Sequence, residues 1–399
     1  MVALTAATPL RVAIVSPYSL ASIPALAPER LRPTPWTENL ARALVKRADL
    51  EVHLLVGIAP HSRGVPRSLT RNSINFHFYR TSGRLATRTG YRWESLRVRQ
   101  ILRHIKPDVV HGQGVEGAAG AAALRSGYPA LITVHGILNR IFANAGDSHR
   151  RARQLELEAL NQAHHIIALN DYTLKQVADL REDKLTGLKT YRIANAVAPA
   201  LFDLTQPETA VSQPVILFCG VLRQRKGLLD LLQALVLLKQ QGIKPLLQVA
   251  GIAPGDPQND YHNQVTKLIH EALPGQVELL GLIAPADMPS LYDRSDLLVL
   301  PSYHENAPMV IAEAMAAALP VVAYETGGVG EMVTEGETGF LVAKGTIEQL
   351  AIQIGRLLGD TELRLRMGRE ARKQAARDHH PDVVAEQTVA AYRSVLSSM

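Results

Sequence analysis

Apolar strand candidates alternate with stretches of helical spacing along the whole chain. In the first half they read RVAIVS, LEVHLLVG, NFHFYR, PDVVHG, ALITVHG, HHIIALN and TYRIANA. Such alternation predicts a parallel sheet with helices on both faces. A polar stretch rich in Pro, Thr and Gln near 203–214 interrupts it, and the pattern restarts with VILFCGV, LLQVAG, VELLGLI, LLVLPS, PVVAYE and GFLVA. The expected fold class is α/β, with two doubly wound parallel-sheet domains, 1–205 and 206–382, facing across a cleft. A last helix over about 383–399 is expected to pack back onto the first domain. Ligands of such sheets bind outside the carboxyl ends of the strands.

Composition narrows the class. The 399 residues are 47% hydrophobic and 20% charged, which suits soluble globular domains. No apolar run is long enough to span a bilayer. The opening MVALTAATPLRVAIV has no basic segment before its apolar residues, so a signal peptide is not expected and a cytoplasmic location is. The single cysteine, Cys219, excludes an internal disulfide and reads as a small buried strand residue.

Charge changes the picture. Residues 1–150 carry 20 Lys/Arg against 8 Asp/Glu, and 61–103 hold ten arginines and one acid, Glu94. This asymmetry predicts an anionic partner for the N-terminal domain. In YRWESLRVRQILRHIKPD, Val98, Ile101, Leu102 and Ile105 keep helical spacing, while Arg92, Arg99 and Arg103 lie off that stripe. Three readings stay open: a solvated basic face, an anionic membrane surface on the inner side, or an anionic acceptor. Nucleic acid is not expected, because no nucleic-acid-binding motif accompanies the charge.

The stretch VVHGQGVEGAAG has the glycine spacing of a dinucleotide-binding loop at Gly112, Gly114 and Gly117. A strand leads in and a helix leads out, but no acid between Glu116 and Asp147 is available for the ribose. No nicotinamide or flavin is expected, and the glycines are predicted to let a helix pack close to the sheet. HExxH, Walker, Asp-x-Asp and GxSxG patterns are absent, and no metal site is expected.

Two stretches carry candidate chemistry. In FCGVLRQRKGLLDLLQAL a strand ends near Gly220 and a helix begins near Gly227, so Arg223, Arg225 and Lys226 stand before a helix N-terminus. Backbone N–H groups and the helix dipole favour an anion there, although a basic loop is also common solvent decoration. In VLPSYHENAPMVIAEAMAAALPVVA, Glu305 lies outside a predicted helix and Glu313 within it, with Pro308 near its first turn. The two carboxylates are spaced to reach different parts of one extended ligand.

These motifs, with VELLGLIAPADMPSLYDRSDLLVLPSYHENAPMVIAEAMAAALPVVAYETGGVGEMVTEGETGFLV, resemble the C-terminal half of the retaining family 4 glycosyltransferases, which have the GT-B fold. LARALVKR, KPDVVHGQG, GYPALITVHG and YRIANAVAPALF are similar to the N-terminal half. The resemblance implies a nucleotide-diphosphate-sugar donor, UDP- or GDP-linked, a glycan, lipid or anionic acceptor, and no metal or other cofactor. It implies that Arg225 and Lys226, beside Gly220 and Arg223, bind the diphosphate. Glu305 would meet donor-sugar hydroxyls, Glu313 the ribose and Ile283 the base. Amides of Ala307, Met309 and Val310 would face the phosphates, and His135 would stand against the donor sugar. Two departures stand out: Val221 follows Gly220 where the family often has Arg, and ERLRPTPWTENLARAL lacks the usual Gly-Gly pair. A nucleotide-sugar epimerase or a non-catalytic sugar-nucleotide binder of the same fold is the alternative.

Overall fold

The computed structural model describes residues 8–16, 34–60, 62, 64–142, 149–204, 213–251 and 260–398. The chain forms two compact units, Met1–Ala196 with Pro381–Met399, and Val197–His380.

In the first unit, β1 (Leu10–Ser16), β2 (Leu50–Ile58), β3 (Ser68–Arg71), β4 (Ile74–Arg80), β5 (Val109–Gln113), β6 (Ala130–Val134), β7 (His165–Ala168) and β8 (Lys189–Arg192) make one sheet. Their order is β3-β4-β2-β1-β5-β6-β7-β8, parallel except for the β3–β4 hairpin. Helices α1 (Pro35–Leu44), α2 (Arg92–Ile105), α3 (Ala118–Leu124), α4 (Leu138–Ile141), α5 (Arg150–Gln162) and α6 (Asp171–Leu180) lie along the same stretch of chain. Successive residues of β1 serve two cores, as alternation along a buried strand requires. Val12 and Ile14 pack with Leu40 and Leu44 of α1, whereas Ala13 and Val15 pack with Val98, Leu102 and Ala123 of α2 and α3. Arg92, Arg99 and Arg103 are exposed, as their place off the apolar stripe predicts.

The second unit holds β9 (Val215–Cys219), β10 (Leu246–Ala250), β11 (Val277–Gly281), β12 (Leu297–Leu300), β13 (Val321–Tyr324) and β14 (Gly339–Val342), all parallel in the order β11-β10-β9-β12-β13-β14. Its helices are α7 (Leu228–Gln240), α8 (Asp260–Ala272), α9 (Met288–Asp293), α10 (Met309–Ala316), α11 (Val329–Met332), α12 (Ile347–Gly359) and α13 (Thr361–His379). Ile216 and Phe218 of β9 face the core under α7 and α12, and Leu217 and Cys219 face the core under α10. From Pro381 the chain returns to the first unit as α14 (Pro381–Leu396), whose Val384, Val389 and Tyr392 share a core with Leu40 and Leu44.

Two readings need correction. The change of unit falls between Ala196 and Val197, and again between His380 and Pro381, not at 205/206 and 382/383. Val197 and Leu201 are already buried in the second unit's core, so the polar stretch begins after the boundary; residues 205–212 lie outside those described. The short polar strand β3, SLTR, was not expected. It is an edge strand closed by Asn72 and Ser73, with φ of 49° and 62°, the left-handed pair a two-residue hairpin turn demands. Pro308 caps α10 immediately before its first turn, with φ −67° and ψ 115°, near the place expected.

Gly112 sits where helix meets sheet. A Cβ there would lie 2.9 Å from the Gly120 Cα of α3, so Gly112 serves close packing as predicted, whereas Gly114 takes φ 93° and a Cβ at Gly117 would meet nothing within 4 Å.

Candidate functional site

The second sheet reverses direction between β9 and β12. From β9 the chain proceeds outward to β10 and β11, and from β12 outward the other way to β13 and β14. The loops leaving these adjacent strands therefore diverge at a topological switch point, where doubly wound sheets bind ligands. Both candidate motifs lie here: Gly220–Gly227 follows β9, and Pro301–Pro308 follows β12.

Backbone geometry locks the two loops together. Gln224–Lys226 forms a single 3-10 turn, and the Tyr303 N–H donates to the Arg225 carbonyl at 2.8 Å. Gly227 precedes α7 with φ 70°, and a Cβ there would lie only 1.8 Å from the Pro301 carbonyl oxygen. No other residue type fits that approach. The chain is thus brought in at the angle that starts α7 and sets Lys226 against the second loop.

Across this seam Lys226 Nζ pairs with the Glu305 carboxylate in a short contact, the two side chains 14% and 9% exposed. Arg223 and Arg225 are exposed, and neither has a carboxylate partner among the described residues. His304 is half-buried beside them. Burial lowers its basicity first, with Glu305 opposing and Arg225, Lys226 and Lys344 adding to the effect. Tyr303 and Tyr324 both donate to Asp230 Oδ2, at 2.7 and 2.8 Å, tying α7 to the ends of β12 and β13. The Gly328 N–H points to the Glu305 carbonyl at 3.4 Å, so the turn after β13 closes the third side.

Glu313 is built differently. It sits in the second turn of α10 and accepts from the wholly buried Tyr292 hydroxyl at 2.7 Å. Burial pushes its carboxyl up to about 7, against the opposing hydrogen bond from Tyr292. Cys219 joins this cluster through Tyr292, and burial raises its thiol far above reactive range, leaving an inert buried residue. Ile283 follows β11 and, with Ala307, Met309 and Val310, packs half-buried on the core that contains Cys219 and Tyr292. At the N-terminus of α10 the first N–H groups have no partner within the helix, and Met309 and Val310 supply two of them. Among the described residues, no group of three or more His, Cys, Asp or Glu side chains is placed to hold a metal ion.

The remaining predicted residue, His135, belongs to the first unit. It follows β6, its ring 5.0 Å from the Trp36 ring, and its Nε2 lies 2.7 Å from Gln113 Oε1 at the end of β5. Burial lowers it to about 3, so the imidazole is neutral.

The structure therefore joins Lys226 to Glu305 directly, gathers Arg223, Arg225 and the α10 N-terminus on the same loops, and holds Glu313 under them. Sequence reasoning missed His304, Tyr303, Asp230 and Lys344, whose roles depend on contacts between loops distant in the chain.

Residues 203–374 match the family model for glycosyl transferases group 1, and residues 36–197 match that for glycosyltransferase family 4. The chain belongs to the group 1 glycosyltransferases. Among curated relatives, the alpha-D-kanosaminyltransferase of Streptomyces kanamyceticus is 26% identical over 61% of this chain, and the match spans 64% of its own length. The glycogen synthase of Mycobacterium tuberculosis is 28% identical over 73% of this chain and 69% of its own. Among solved structures, sucrose-phosphate synthase from Thermosynechococcus elongatus shares the fold with a TM-score of 0.78 at 21% identity, covering 98% of this chain and 100% of that one. HepE of Anabaena in complex with UDP-glucose has a TM-score of 0.71 at 20% identity, with the same coverage. The architecture is that of GT-B glycosyltransferases.

Proposed function

We propose that this group 1 glycosyltransferase moves a sugar from a UDP- or GDP-linked donor to an acceptor hydroxyl, with retention at the anomeric carbon and without a metal ion. The observation that carries this reading is the pair of locked loops at the β9/β12 switch point, with three basic side chains beside a helix N-terminus. Breaking the sugar–phosphate bond builds negative charge on the departing diphosphate. Arg225, Lys226, Arg223 and the amides of Ala307, Met309 and Val310 supply fixed positive charge to meet it. The bond from the acceptor oxygen to the anomeric carbon forms as the carbon–phosphate-oxygen bond breaks on the same face, and the leaving phosphate takes the acceptor proton. Glu305 accepts from sugar hydroxyls, Glu313 from the ribose, Ile283 lies under the base, and His135 orients the donor sugar. Support for a uridine donor comes from HepE, which holds UDP-glucose in the same fold.

The test is thermal stability against UDP, GDP, ADP, their sugar conjugates and NAD at pH 6 and pH 8. A ligand at 100 times its Kd adds roughly 2.7 kcal/mol. Only ionised Glu313 accepts from both ribose hydroxyls, and its carboxyl titrates at about 7, so the stabilisation should be larger at pH 8 than at pH 6. Glu313→Gln should flatten that difference. The ligand-free protein should behave oppositely. A carboxyl raised above its ordinary value favours the folded state while protonated, so stability should fall as pH rises from about 4.5 through 7. Stabilisation by NAD alone overturns the reading. A sugar nucleotide altered without any acceptor makes the protein an epimerase.

The acceptor side has its own feature. Arg88, Arg92 and Arg151 rim a hollow of about 460 Å³ with Thr89, Trp93 and Leu96. Trp93 and Leu96 are 44% and 62% exposed, Arg97 lies 4.5 Å over the Trp93 ring, and among the described residues neither Arg88 nor Arg92 has a carboxylate partner. No helix among the described residues is long and apolar enough to cross a membrane. Exposed apolar side chains beside Arg88 and Arg92, with Arg151 paired to Glu158 at 3.3 Å, suit an anionic membrane surface at the cytoplasmic face, where a lipid acceptor would lie. Arg88→Glu/Arg92→Glu should weaken binding to vesicles containing phosphatidylserine by about tenfold or more. Unchanged binding at every salt concentration would remove the membrane and leave a soluble anionic acceptor.

A further inference from the structure

A buried polar chain runs from the C-terminal helix to His135. His111 and Tyr392 are fully buried, and Gln113 and Thr133 are 4% exposed, all within an otherwise apolar interior. Polar groups buried so deeply are costly unless each is hydrogen-bonded, and a satisfied network fixes one arrangement. The distances are 2.7 Å from His135 Nε2 to Gln113 Oε1, 3.1 Å from Gln113 Nε2 to His111 Nε2, and 2.8 Å from His111 Nδ1 to the Tyr392 hydroxyl. Thr133 Oγ1 lies 2.7 Å from His111 Nε2.

The chain has a direction. Gln113 Oε1 can only accept, so the proton of neutral His135 resides on Nε2. Gln113 Nε2 can only donate, and it lies nearer His111 Nε2, at 3.1 Å, than Nδ1, at 3.4 Å; the Thr133 hydroxyl can donate to the same Nε2, which makes it the accepting nitrogen. The His111 proton is then on Nδ1, where it is donated to the Tyr392 oxygen. Burial holds His111 near 3, so it stays neutral and carries one proton only. Reversing the direction turns the Gln113 amide over and rotates the Tyr392 and Thr133 hydroxyls, each of which can donate or accept.

We infer that Tyr392, His111 and Gln113 are positioning residues that hold His135 in its Nε2–H tautomer, so that α14 governs which imidazole nitrogen is the acceptor. The inference rests on the reading above only for its consequence: His135 then meets the donor sugar as a neutral ring with its lone pair on Nδ1. Without the Tyr392 oxygen, His111 gains by placing its proton on Nε2, which turns the Gln113 amide and moves the His135 proton to Nδ1.

The experiment is nitrogen-15 NMR of histidine-labelled protein, with the His135 signals assigned by His135→Ala. The parent should show one protonated nitrogen at His135, Nε2. Tyr392→Phe and Gln113→Leu should each give mixed tautomers there. The first removes one oxygen and the second keeps the side-chain volume, so a folded sample of either suffices. Gln113→Glu in the Tyr392→Phe background keeps an acceptor opposite His135 and should restore the parent signal. In transfer assays Tyr392→Phe should lower kcat by about tenfold or more, with donor Kd within about twofold of the parent, since the diphosphate groups are untouched. An unchanged His135 tautomer in both single variants overturns the relay. A shifted tautomer with no change in transfer, even for His135→Ala, leaves the relay standing and removes His135 from the donor sugar.

Discussion

Replacing Gly227 by alanine should abolish transfer and destabilise the second unit by about 3 kcal/mol or more. Two costs combine: a left-handed backbone at φ 70° costs a Cβ-bearing residue about 1–2 kcal/mol, and overpacking adds about 1–3 kcal/mol. The new Cβ would start 1.8 Å from the Pro301 carbonyl oxygen, so the β9 and β12 loops must part. That separation breaks the Tyr303–Arg225 backbone bond and carries Lys226 away from Glu305. Calorimetry measures the stability, and transfer assays on the folded fraction measure the site. Gly368→Ala is the control. Its Cβ would lie 2.1 Å from the Ala318 carbonyl oxygen, outside the Gly220–Gly227 and Pro301–Pro308 loops, so it should lower stability while sparing activity per folded molecule. Equal loss of specific activity in both variants would refute the special place given to the Gly227 seam.

Lys226→Met should lower kcat about 100- to 1,000-fold, the usual effect of removing one fixed charge from a developing anion. It should also cost about 3 kcal/mol of stability, the low end for breaking a buried ion pair, because Glu305 would be left only 9% exposed without its cation. Lys226→Met/Glu305→Gln separates the two effects. Removing both charges should recover most of the stability and none of the activity. Denaturant titration beside a transfer assay checks this. Recovery of activity in the double variant would mean that the diphosphate does not need Lys226.

The sheet strands were legible because their apolar runs are long enough to stand out from the helices around them. SLTR failed that criterion: an edge strand buries little, so its side chains have no reason to be apolar. The Asn72–Ser73 turn was its only signal. In VVHGQGVEGAAG the missing ribose-binding acid points to packing, and the Gly112–Gly120 approach bears that out for Gly112. Lys226 and Glu305 were each proposed from their own loops, but their pairing spans 79 positions and became visible only once β9 and β12 were neighbours. Tyr392 and His111 lie 281 positions apart, and nothing in the periodicity of α14 tells which polar residue faces inward. The raised Glu313 carboxyl follows from burial in the folded unit, against the hydrogen bond from Tyr292 on another element, and neither is visible in the local sequence. Local pattern reveals which residue types are present and on which element; it does not reveal which of them share a proton.

The return of the chain through Pro381 sets an order of events during translation. The second unit is one continuous stretch, Val197–His380, and has all its parts as soon as that stretch leaves the ribosome. The first unit, although begun earlier, lacks Val384, Val389 and Tyr392 until α14 follows. Through that interval Leu40 and Leu44 have no helix to cover them, and His111 has no tyrosine to receive its proton. The unit made first is therefore the one finished last, and it is the one a chaperone or a protease meets open.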